Sequence, residues 1–399
     1  MFNPYLWILS IGHLIVDLGQ GVLPILTPLL AQSLNLSYFQ VGTIALAFTF
    51  SSAIIQPVFG VLSDRYSMPW LMPLGLFLSG FGLALTGIAN SYELLLLCVL
   101  LSGIGVAGYH PEGSKLAHLV SEEGKAGSSM AIFSVGGNLG FGLGPMLAMF
   151  FLGISGLKSI HGVMVPGVLA TIVFLFLLPK FKKILKDNLP KDKKSKVKAI
   201  NTNNRKASLT LLILFVTVRS WIHSGLVYFI PFYFPAFKGI TEPEYLVSTF
   251  LIAGAIGTIL GGPFADRYGG RNGLLASMII SLIAIYPFLQ FSNNWASFLA
   301  FIVGAALIST FSTTVVFGQR LLPNSIGLAS GLILGFGVGM GSIGVTILGA
   351  IADYAGLPVI MNIISLLPIL GLVLAFALPD DRIQQSTTIK PMETLQQEN

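Results

Sequence analysis

Charged residues are scarce in this chain. Lys, Arg, Asp and Glu together make up 10% of its 399 residues, whereas a soluble domain carries about 25%. Hydrophobic residues make up 54%, and the mean hydropathy is +0.83. One water-soluble core cannot hold this much apolar sequence, so the composition excludes an ordinary soluble domain and indicates a membrane protein.

Cysteine and the common catalytic motifs are also nearly absent. The single Cys98 cannot form a disulfide within the chain. No His-Glu-x-x-His, Cys-x-x-Cys, Gly-x-Ser-x-Gly or phosphate-binding loop occurs in a suitable context. We therefore expect no enzymatic activity, no cofactor and no metal site. Without a nucleotide-binding domain, any active transport must draw its energy from an ion gradient.

Long apolar runs are abundant. A helix needs about 20 apolar residues to cross the hydrocarbon layer of a membrane, and the chain contains twelve runs of this kind. We therefore predict an all-α membrane protein with twelve transmembrane helices. The predicted spans are 6–31, 38–62, 70–89, 93–117, 126–153, 160–179, 209–237, 244–265, 272–290, 294–319, 326–350 and 357–378.

The basic residues indicate how the chain is oriented. If the N-terminus is cytoplasmic, only Lys158 and Lys238 fall in external loops, and Arg219 lies within a span. All other Lys and Arg residues then lie on the cytoplasmic side, as the positive-inside rule expects. We predict that both termini are cytoplasmic, and we interpret the net charge of +6 as a topology signal that implies no nucleic-acid partner.

Two similar loop sequences suggest an internal duplication. Residues 60–65 read Gly-Val-Leu-Ser-Asp-Arg and residues 262–267 read Gly-Pro-Phe-Ala-Asp-Arg. Each follows one apolar run and precedes another, so the chain resembles a membrane unit made twice, as in many transporters. The predicted parts are a six-helix bundle at 1–179, a basic cytoplasmic linker at 180–208, a second bundle at 209–379 and a disordered tail at 380–399.

We interpret the two repeated loops as gating loops that latch one conformation. A short polar turn can link neighbouring helices through its charges and through contacts with helix ends. The candidate latch residues are Asp64, Arg65, Asp266, Arg267 and Arg271. The alternative is a plain tight turn with a topology charge, but two copies at the duplication spacing favour the latch.

Twelve spans, a basic central loop and Gly-x-x-x-Asp-Arg after spans two and eight resemble the major facilitator superfamily. Further motifs resemble its fosmidomycin-resistance branch. They are 12–20 (GHLIVDLGQ), 56–57 (QP), 109–114 (YHPEGS), 135–138 (VGGN), 143–145 (LGP) and 219–221 (RSW). The resemblance implies the major facilitator fold of two pseudo-symmetric six-helix bundles. It also implies a proton-driven exporter of small molecules, associated with drug resistance, in a bacterial inner membrane.

One position departs from that pattern. Many drug–proton antiporters of the superfamily carry an arginine on span four ahead of a Gly-x-Gly, whereas Val99 stands ahead of the Gly-x-Gly at 103–105 here. Proton exchange would then depend on Asp17 or Glu112.

Polar residues inside the spans are the candidate binding residues, because a charge near the bilayer centre costs about 2.5–3.5 kcal/mol on insertion scales. His13, Asp17 and Gln20 share one face of span one, and Arg219 and His223 share one face of span seven. Asp17 and Arg219 occupy matching positions of the two halves. We predict that they pair across a central cavity lined by spans one, four, seven and ten, and that their separation lets Asp17 take up a proton. The alternative is a static ion pair that seals two helices.

Span four carries a second polar pair, His110 and Glu112. The matching positions of the second half are Val315 and Phe317, so the pair is present in one half only. A polar feature without a counterpart is more suited to cargo or protons than to scaffolding. The alternative for Glu112 is a pairing with Lys115 at the helix end, which is as plausible from the sequence.

Span five has small residues at every fourth position, which let helices approach closely. Gly136, Gly140 and Gly144 precede Pro145. The superfamily's antiporters carry a similar stripe, and the resemblance implies that it limits leak in one conformation; generic tight packing is the alternative. Asn138 in the same span is predicted either to line the cavity or to form an interhelical hydrogen bond.

These features together predict a secondary active transporter working by alternating access. We expect a monomeric antiporter that uses proton coupling for the efflux of small anionic or zwitterionic molecules or drugs. Its partners are then the small-molecule substrate, protons and the lipid bilayer. A proton-coupled symporter or facilitator of a sugar or metabolite stays open as an alternative. A channel or a transport-dead membrane sensor is the alternative from a different class.

Overall fold

The structure is a computed structural model that describes residues 3–66, 68–120, 126–187, 204–292, 294–322 and 332–380. These residues form helices and turns, and no strand occurs among them. The helices are α1 (Pro4–Leu34), α2 (Tyr38–Thr49), α3 (Gln56–Tyr66), α4 (Leu71–Thr86), α5 (Tyr92–Leu119), α6 (Ala126–Ser155), α7 (Met164–Asp187), α8 (Arg205–Lys238), α9 (Glu244–Tyr268), α10 (Gly270–Gln290), α11 (Asn294–Ile308), α12 (Thr310–Leu321), α13 (Gly337–Ala355) and α14 (Leu357–Ala377). The predicted all-α class is confirmed.

Many of these helices are long and apolar enough to cross a membrane. Nine such segments lie in the described part of the chain, and one of them, Ile132–Lys186, contains both α6 and most of α7. Two further apolar helices, Leu71–Thr86 and Gly339–Ala355, are shorter. The multi-pass membrane fold is confirmed, and the count of twelve spans stays a prediction.

The helices next to the predicted linker extend further than their apolar runs. Helix α7 continues through Asp187, and α8 begins at Arg205. Lysine and leucine are good helix formers, so the residues after Pro179 continue the helix although they are no longer apolar. The remainder of the linker, 188–203, and the tail, 381–399, lie outside the described residues. The domain boundaries therefore stay a prediction.

Two predicted spans are interrupted by short π-helical turns. One turn, Phe50–Ile54, separates α2 from α3, and the other, Leu332–Phe336, precedes α13. The two turns contact each other, with Gly335 close to the carbonyl of Ala53. A π-turn breaks the regular hydrogen-bond ladder of a helix and often marks a functional bend. Both bends therefore lie at the same place between the two halves.

The packing divides the helices into an inner and an outer set. We call α1–α7 the first half and α8–α14 the second half. The most extensive packing between the halves joins α2 to α13 and α6 to α9, with a smaller contact between α1 and α8. Helices α1, α5, α8 and α12, which correspond to predicted spans one, four, seven and ten, contact one another more sparsely. The polar candidates lie on these central helices, except for Asn138, which lies on α6.

The glycine stripe of α6 lies directly against the backbone of α1. A Cβ atom added at any of the three glycines would meet a carbonyl group of α1. The pairs are Gly136 with Ser10, Gly140 with Leu14, and Gly144 with Leu18. Pro145 is buried next to Gly21 of α1. This stripe brings the backbones of α1 and α6 together, as small residues do in membrane helix pairs.

Substitution at the centre of this stripe should destabilise the protein. The added methyl group of Gly140→Ala would lie within 2.8 Å of the carbonyl carbon of Leu14, so α1 and α6 would have to separate, at about 1–3 kcal/mol. Thermal unfolding in detergent measures this loss. Gly153→Ala, in the same helix, is the control because no atom lies within 4 Å of its added Cβ. Equal unfolding temperatures for the two variants would contradict the tight crossing.

Candidate functional site

Asp17 lies between two histidine side chains from two helices. The Nε2 atom of His13, one turn earlier on α1, lies 3.2 Å from Asp17 Oδ2. The Nε2 atom of His110 on α5 lies 3.1 Å from Asp17 Oδ1. Gln20 donates a hydrogen bond of 2.7 Å to Asp17 Oδ1. We call His13, Asp17 and His110 the His–Asp cluster. His13 and Asp17 share one face of α1 because they are four residues apart.

The hydrogen bond on the far side of the His13 ring fixes where one proton lies. Nδ1 of His13 is 2.7 Å from the backbone carbonyl of Phe133. A carbonyl can only accept, so Nδ1 must carry the hydrogen. In the neutral ring, Nε2 would then point a lone pair at the carboxylate of Asp17. A contact of 3.2 Å between two lone pairs is repulsive, so the arrangement is satisfied by one further proton shared between His13 and Asp17.

His110 brings a second helix to the same carboxylate. Its ring packs edge-on against His13, with ring centroids 4.8 Å apart. Its Nε2 atom is buried, and although it lies close to Asp17 it has no well-aligned hydrogen bond. This contact joins α5 to α1 at the carboxylate of Asp17.

The ligand atoms of the His–Asp cluster lie within 4.8 Å of one another, a grouping of the type that can share a bound ion. Both imidazole nitrogens lie at hydrogen-bonding distance from the carboxylate.

Two aromatic residues that the sequence did not single out position the histidines. The ring of Phe133 on α6 stacks on His13 with centroids 4.2 Å apart, in addition to the carbonyl contact of its backbone. Tyr109 is fully buried and donates a hydrogen bond of 2.6 Å to the carbonyl of Leu9 on α1. Tyr109 thereby fixes the start of the His110 turn against α1. The sequence places Tyr109 next to His110, but it does not predict the hydrogen bond between Tyr109 and Leu9.

Asn138 lies beside the cluster without bonding to it. The preceding Gly137 faces the cluster, because a Cβ there would lie 2.7 Å from Asp17 Oδ2. Asn138 itself is half-buried and makes no hydrogen bond with any part of the chain that the structure describes. The choice between a cavity contact and an interhelical hydrogen bond therefore stays open.

Arg219 on α8 is buried, with 1% of its surface exposed, and its partners are neutral. Its Nη1 atom lies 3.5 Å from the hydroxyl of Thr310 and 3.4 Å from that of Thr314, both on α12. Its guanidinium carbon lies 3.8 Å from the centroid of the Phe311 ring. Its Nε atom has no hydrogen-bond partner. Arg219 is therefore a buried cation that forms no ion pair with any described residue.

The expected pair between Asp17 and Arg219 is not formed in this structure, so that prediction is wrong for the conformation described. Asp17 is satisfied by side chains of its own half, and Arg219 turns toward α12. Cation–π attraction to Phe311 and the lone pairs of the threonines hold the guanidinium there. Each hydroxyl donates its own hydrogen to the carbonyl three residues earlier, that of Leu307 or Phe311, and so presents a lone pair to Arg219.

His223 lies one turn after Arg219 among aromatic rings. The centroids of Phe141, Phe250 and Phe311 lie 6.0, 5.5 and 6.1 Å from that of His223. Phe141 belongs to α6 of the first half, whereas Phe250 and Phe311 belong to α9 and α12. His223 and Arg219 thus share Phe311 as a neighbour, and His223 lies where the two halves meet.

Glu112 contacts the turn between α3 and α4. It is fully buried, and its Oε1 atom accepts a hydrogen bond of 2.8 Å from the backbone nitrogen of Met68. Met68 belongs to the loop between α3 and α4, which follows the first predicted gating loop. Glu112 therefore connects α5 to the turn that follows α3, the helix that contains the first predicted gating motif. Its role toward cargo or protons stays a prediction.

The predicted latch residues are described in part. The side chains of Asp64, Arg65 and Asp266 lie outside the described part of the structure. Arg267 is exposed and lies 5.3 Å from the ring centroid of Tyr268. Arg271 donates a hydrogen bond to the carbonyl of Phe376 near the end of α14. A cation at a helix C-terminus is a favourable contact, so Arg271 joins α10 to α14 within the second half.

Comparison with known sequences identifies the family. The profile described as Major Facilitator Superfamily matches residues 9–333 and 239–395. The chain belongs to the major facilitator superfamily. It is 32% identical over 378 residues to the fosmidomycin resistance protein of Escherichia coli (strain K12), covering 94% of this chain and 92% of that protein. It is 36% identical over 386 residues to the uncharacterized MFS-type transporter YfnC of Bacillus subtilis (strain 168), covering 95% and 93%.

Solved structures of major facilitator proteins share the fold. A bacterial homolog of the human lysosomal transporter Spinster, in an inward-facing and occupied conformation, superposes with a TM-score of 0.74 at 16% identity, covering 94% of this chain and 97% of that one. A mutant of the nucleoside transporter NupG superposes with a TM-score of 0.71 at 15% identity, covering 94% and 99%. The predicted major facilitator fold is confirmed. As a member of this superfamily, the chain is a transporter of small molecules and not an enzyme.

Proposed function

We propose that this transporter exports small anionic or zwitterionic molecules in exchange for protons, by alternating access. The His–Asp cluster of the first half is the proton site, and Arg219 of the second half is the cargo site. The observation that carries the proposal is the His13 hydrogen bond to the carbonyl of Phe133, because it requires a shared proton between His13 and Asp17. The similarity of the chain to the fosmidomycin resistance protein supports efflux.

Loss of the shared proton would change the packing of α1. Without it, the carboxylate of Asp17 faces the lone pair of His13, and two negative ends lie 3.2 Å apart. Water screens such repulsion poorly between packed helices, because the effective dielectric constant there is low. Both residues lie on α1, so rotation of their side chains relieves the repulsion, and this rotation changes their contacts with Phe133 on α6 and His110 on α5. In this way the release of a proton on one side of the membrane is coupled to a change of conformation.

Arg219 supports a negatively charged group on the cargo. Burying an unpaired guanidinium costs several kcal/mol, and such a residue inside a membrane is expected to have a task. Its Nε atom has no partner, and the two threonine contacts are long. A carboxylate, phosphate or phosphonate would offset the charge and accept the unused hydrogen bonds. His223, one turn further along α8, and Asn138 on α6 are the polar groups available to the remainder of the cargo.

We propose that the chain has the membrane orientation predicted by the positive-inside rule. Both termini then face the cytoplasm of a bacterial cell, and the gating loops with Asp64 and Asp266 lie on the cytoplasmic side. We propose that a single copy of the chain is sufficient for transport, because both sites are built from one chain.

Flux into proteoliposomes tests the proposal. The full-length chain is reconstituted, and labelled fosmidomycin and a panel of anionic, zwitterionic and cationic drugs are offered with and without a proton gradient. We expect saturable accumulation of anionic compounds on the acidic side of the membrane, and loss of accumulation when a protonophore collapses the gradient. A difference of one pH unit supplies about 1.4 kcal/mol per proton, which is a tenfold accumulation per exchanged proton when the membrane potential is held at zero.

Each other outcome identifies a different function. Accumulation on the alkaline side would show symport, and flux without saturation would show a channel. Competition by organic cations alone would overturn the assignment of an anionic cargo to Arg219. A transport-dead protein would show no flux with any compound and no proton movement in a pH-indicator assay.

A further inference from the structure

The first turn of α2 is capped by a carboxylate from the other half of the protein. Asp353, near the end of α13, accepts a hydrogen bond of 2.7 Å from the backbone nitrogen of Tyr38 and one of 2.9 Å from that of Phe39. The two segments are more than 300 residues apart in sequence. We call this contact the Asp353 cap. It lies at the membrane face where α1 ends and α2 begins, which the predicted orientation makes the external face.

The cap completes the hydrogen bonds of that helix end. A helix begins with four backbone N–H groups that have no partner inside the helix. In α2 two of these groups are satisfied by a capping box, in which the side chain of Ser37 accepts from the Gln40 nitrogen and the side chain of Gln40 accepts from the Ser37 nitrogen. The other two groups, those of Tyr38 and Phe39, are bonded to Asp353. One half of the protein therefore supplies half of the capping of a helix in the other half.

The cap is the end of a close seam between α2 and α13. A Cβ added at Gly349 would meet the carbonyl of Tyr38, and one added at Gly42 would meet the backbone of Thr346. Further along, the hydroxyls of Thr49 and Ser342 form a hydrogen bond. Backbones approach this closely only when the two halves are in contact at this face. The Asp353 cap can therefore exist only while the external face is closed along α2 and α13.

The corresponding seam between α6 and α9 has no such cap. Helix α6 contains no Asp or Glu residue, so no carboxylate of α6 can accept from the first turn of α9. The N-terminal turn of α9 has no side-chain cap at Pro243. The carboxylate contact is thus specific to one of the two seams.

We propose that Asp353 is a positioning residue that latches the external face in its closed state and thereby sets the balance between inward-open and outward-open conformations. The inference rests on the alternating access proposed above and is independent of the identity of the cargo and of the proton site. A carboxylate at a helix N-terminus interacts favourably with the helix dipole and with the free N–H groups. Opening of the external face breaks both bonds at once and leaves water as the partner of each group.

Distance measurements between the halves test the latch. Spin labels are placed at Asn90→Cys and Glu242→Cys, two exposed loop positions at this face, in a Cys98→Ser background, and pulsed electron resonance gives the distance distribution. We expect wild type to show a dominant short distance and a minor long one. Asp353→Asn and Asp353→Ala should raise the ratio of long to short distances roughly three- to tenfold, as expected for the loss of a helix cap.

The matched control is Glu93→Gln, which removes an exposed carboxylate at the same face and should leave the ratio unchanged. Unfolding temperatures of all variants show that each is folded. A ratio unchanged in both Asp353 variants, while wild type shows two distances, would overturn the latch and leave alternating access intact. A single distance in wild type under every condition, with and without substrate and at both pH extremes, would instead overturn alternating access itself.

Discussion

Asp17→Asn should abolish the accumulation of cargo against its gradient and leave downhill exchange intact. The amide has the shape of the carboxylate and can still bond to Gln20 and to one histidine, but it cannot take up the proton shared with His13. With a difference of one pH unit, the roughly tenfold accumulation expected of wild type should fall to no accumulation in the variant. Proteoliposome flux with and without the gradient measures this difference.

The conservative variant separates a proton site from a structural seal. Asp17→Glu keeps a group that can bind a proton, so part of the response to the gradient should return. If Asp17 only sealed α1 against α5, then Asp17→Asn would lower the unfolding temperature or cause leak, and the response to the proton gradient would be unchanged. That last result would refute the proton assignment.

Arg219→Gln should remove the binding of anionic cargo without destabilising the protein. The hydrogen bonds of a charged group contribute about 1.5–3 kcal/mol, so the affinity for an anionic compound should fall by about 10- to 150-fold. The variant should be at least as stable as wild type, because burial of an unpaired charge costs several kcal/mol. The contacts that it loses, with Phe311 and two long threonine bonds, contribute less, with about 2 kcal/mol for a buried cation–π contact.

The combination of weaker binding and unchanged stability is specific to a ligand site. Binding is measured by competition against a labelled anionic compound, and stability by thermal unfolding. Arg205→Gln removes an exposed charge from the same helix and should change neither. A loss of stability of about 3–5 kcal/mol in Arg219→Gln, as on breaking a buried ion pair, would show that Arg219 has a structural partner and would contradict the cargo site. Arg219→Lys should retain part of the affinity, because it keeps the charge but loses the planar donors.

The sequence was sufficient for the fold and for the residues that share a helical face. Hydropathy and loop charge predicted nearly every helix, because the spanning requirement sets both length and composition. The spacing of His13, Asp17 and Gln20 predicted that they lie together, since i, i+4 and i+7 positions face the same way. The placement of His110 on a central helix also followed from counting spans.

The partners of these residues depended on tertiary contacts that spacing cannot supply. The pairing of Asp17 with Arg219 was inferred from symmetry, but a long flexible side chain takes its direction from local contacts, here Phe311 and the threonines of α12. The backbone carbonyl of Phe133 carries no sequence signal at all. Asp353 was visible only as an acid after an apolar run, and its role depends on how closely α2 and α13 approach.

The His–Asp cluster is built from α1 and α5, with support from α6, and the side-chain contacts of Arg219 come from α12 alone. The proposed proton site and the cation of the proposed cargo site therefore lie in different halves of the molecule. Changes around Arg219 are then expected to alter which compounds bind while the proposed proton site is retained.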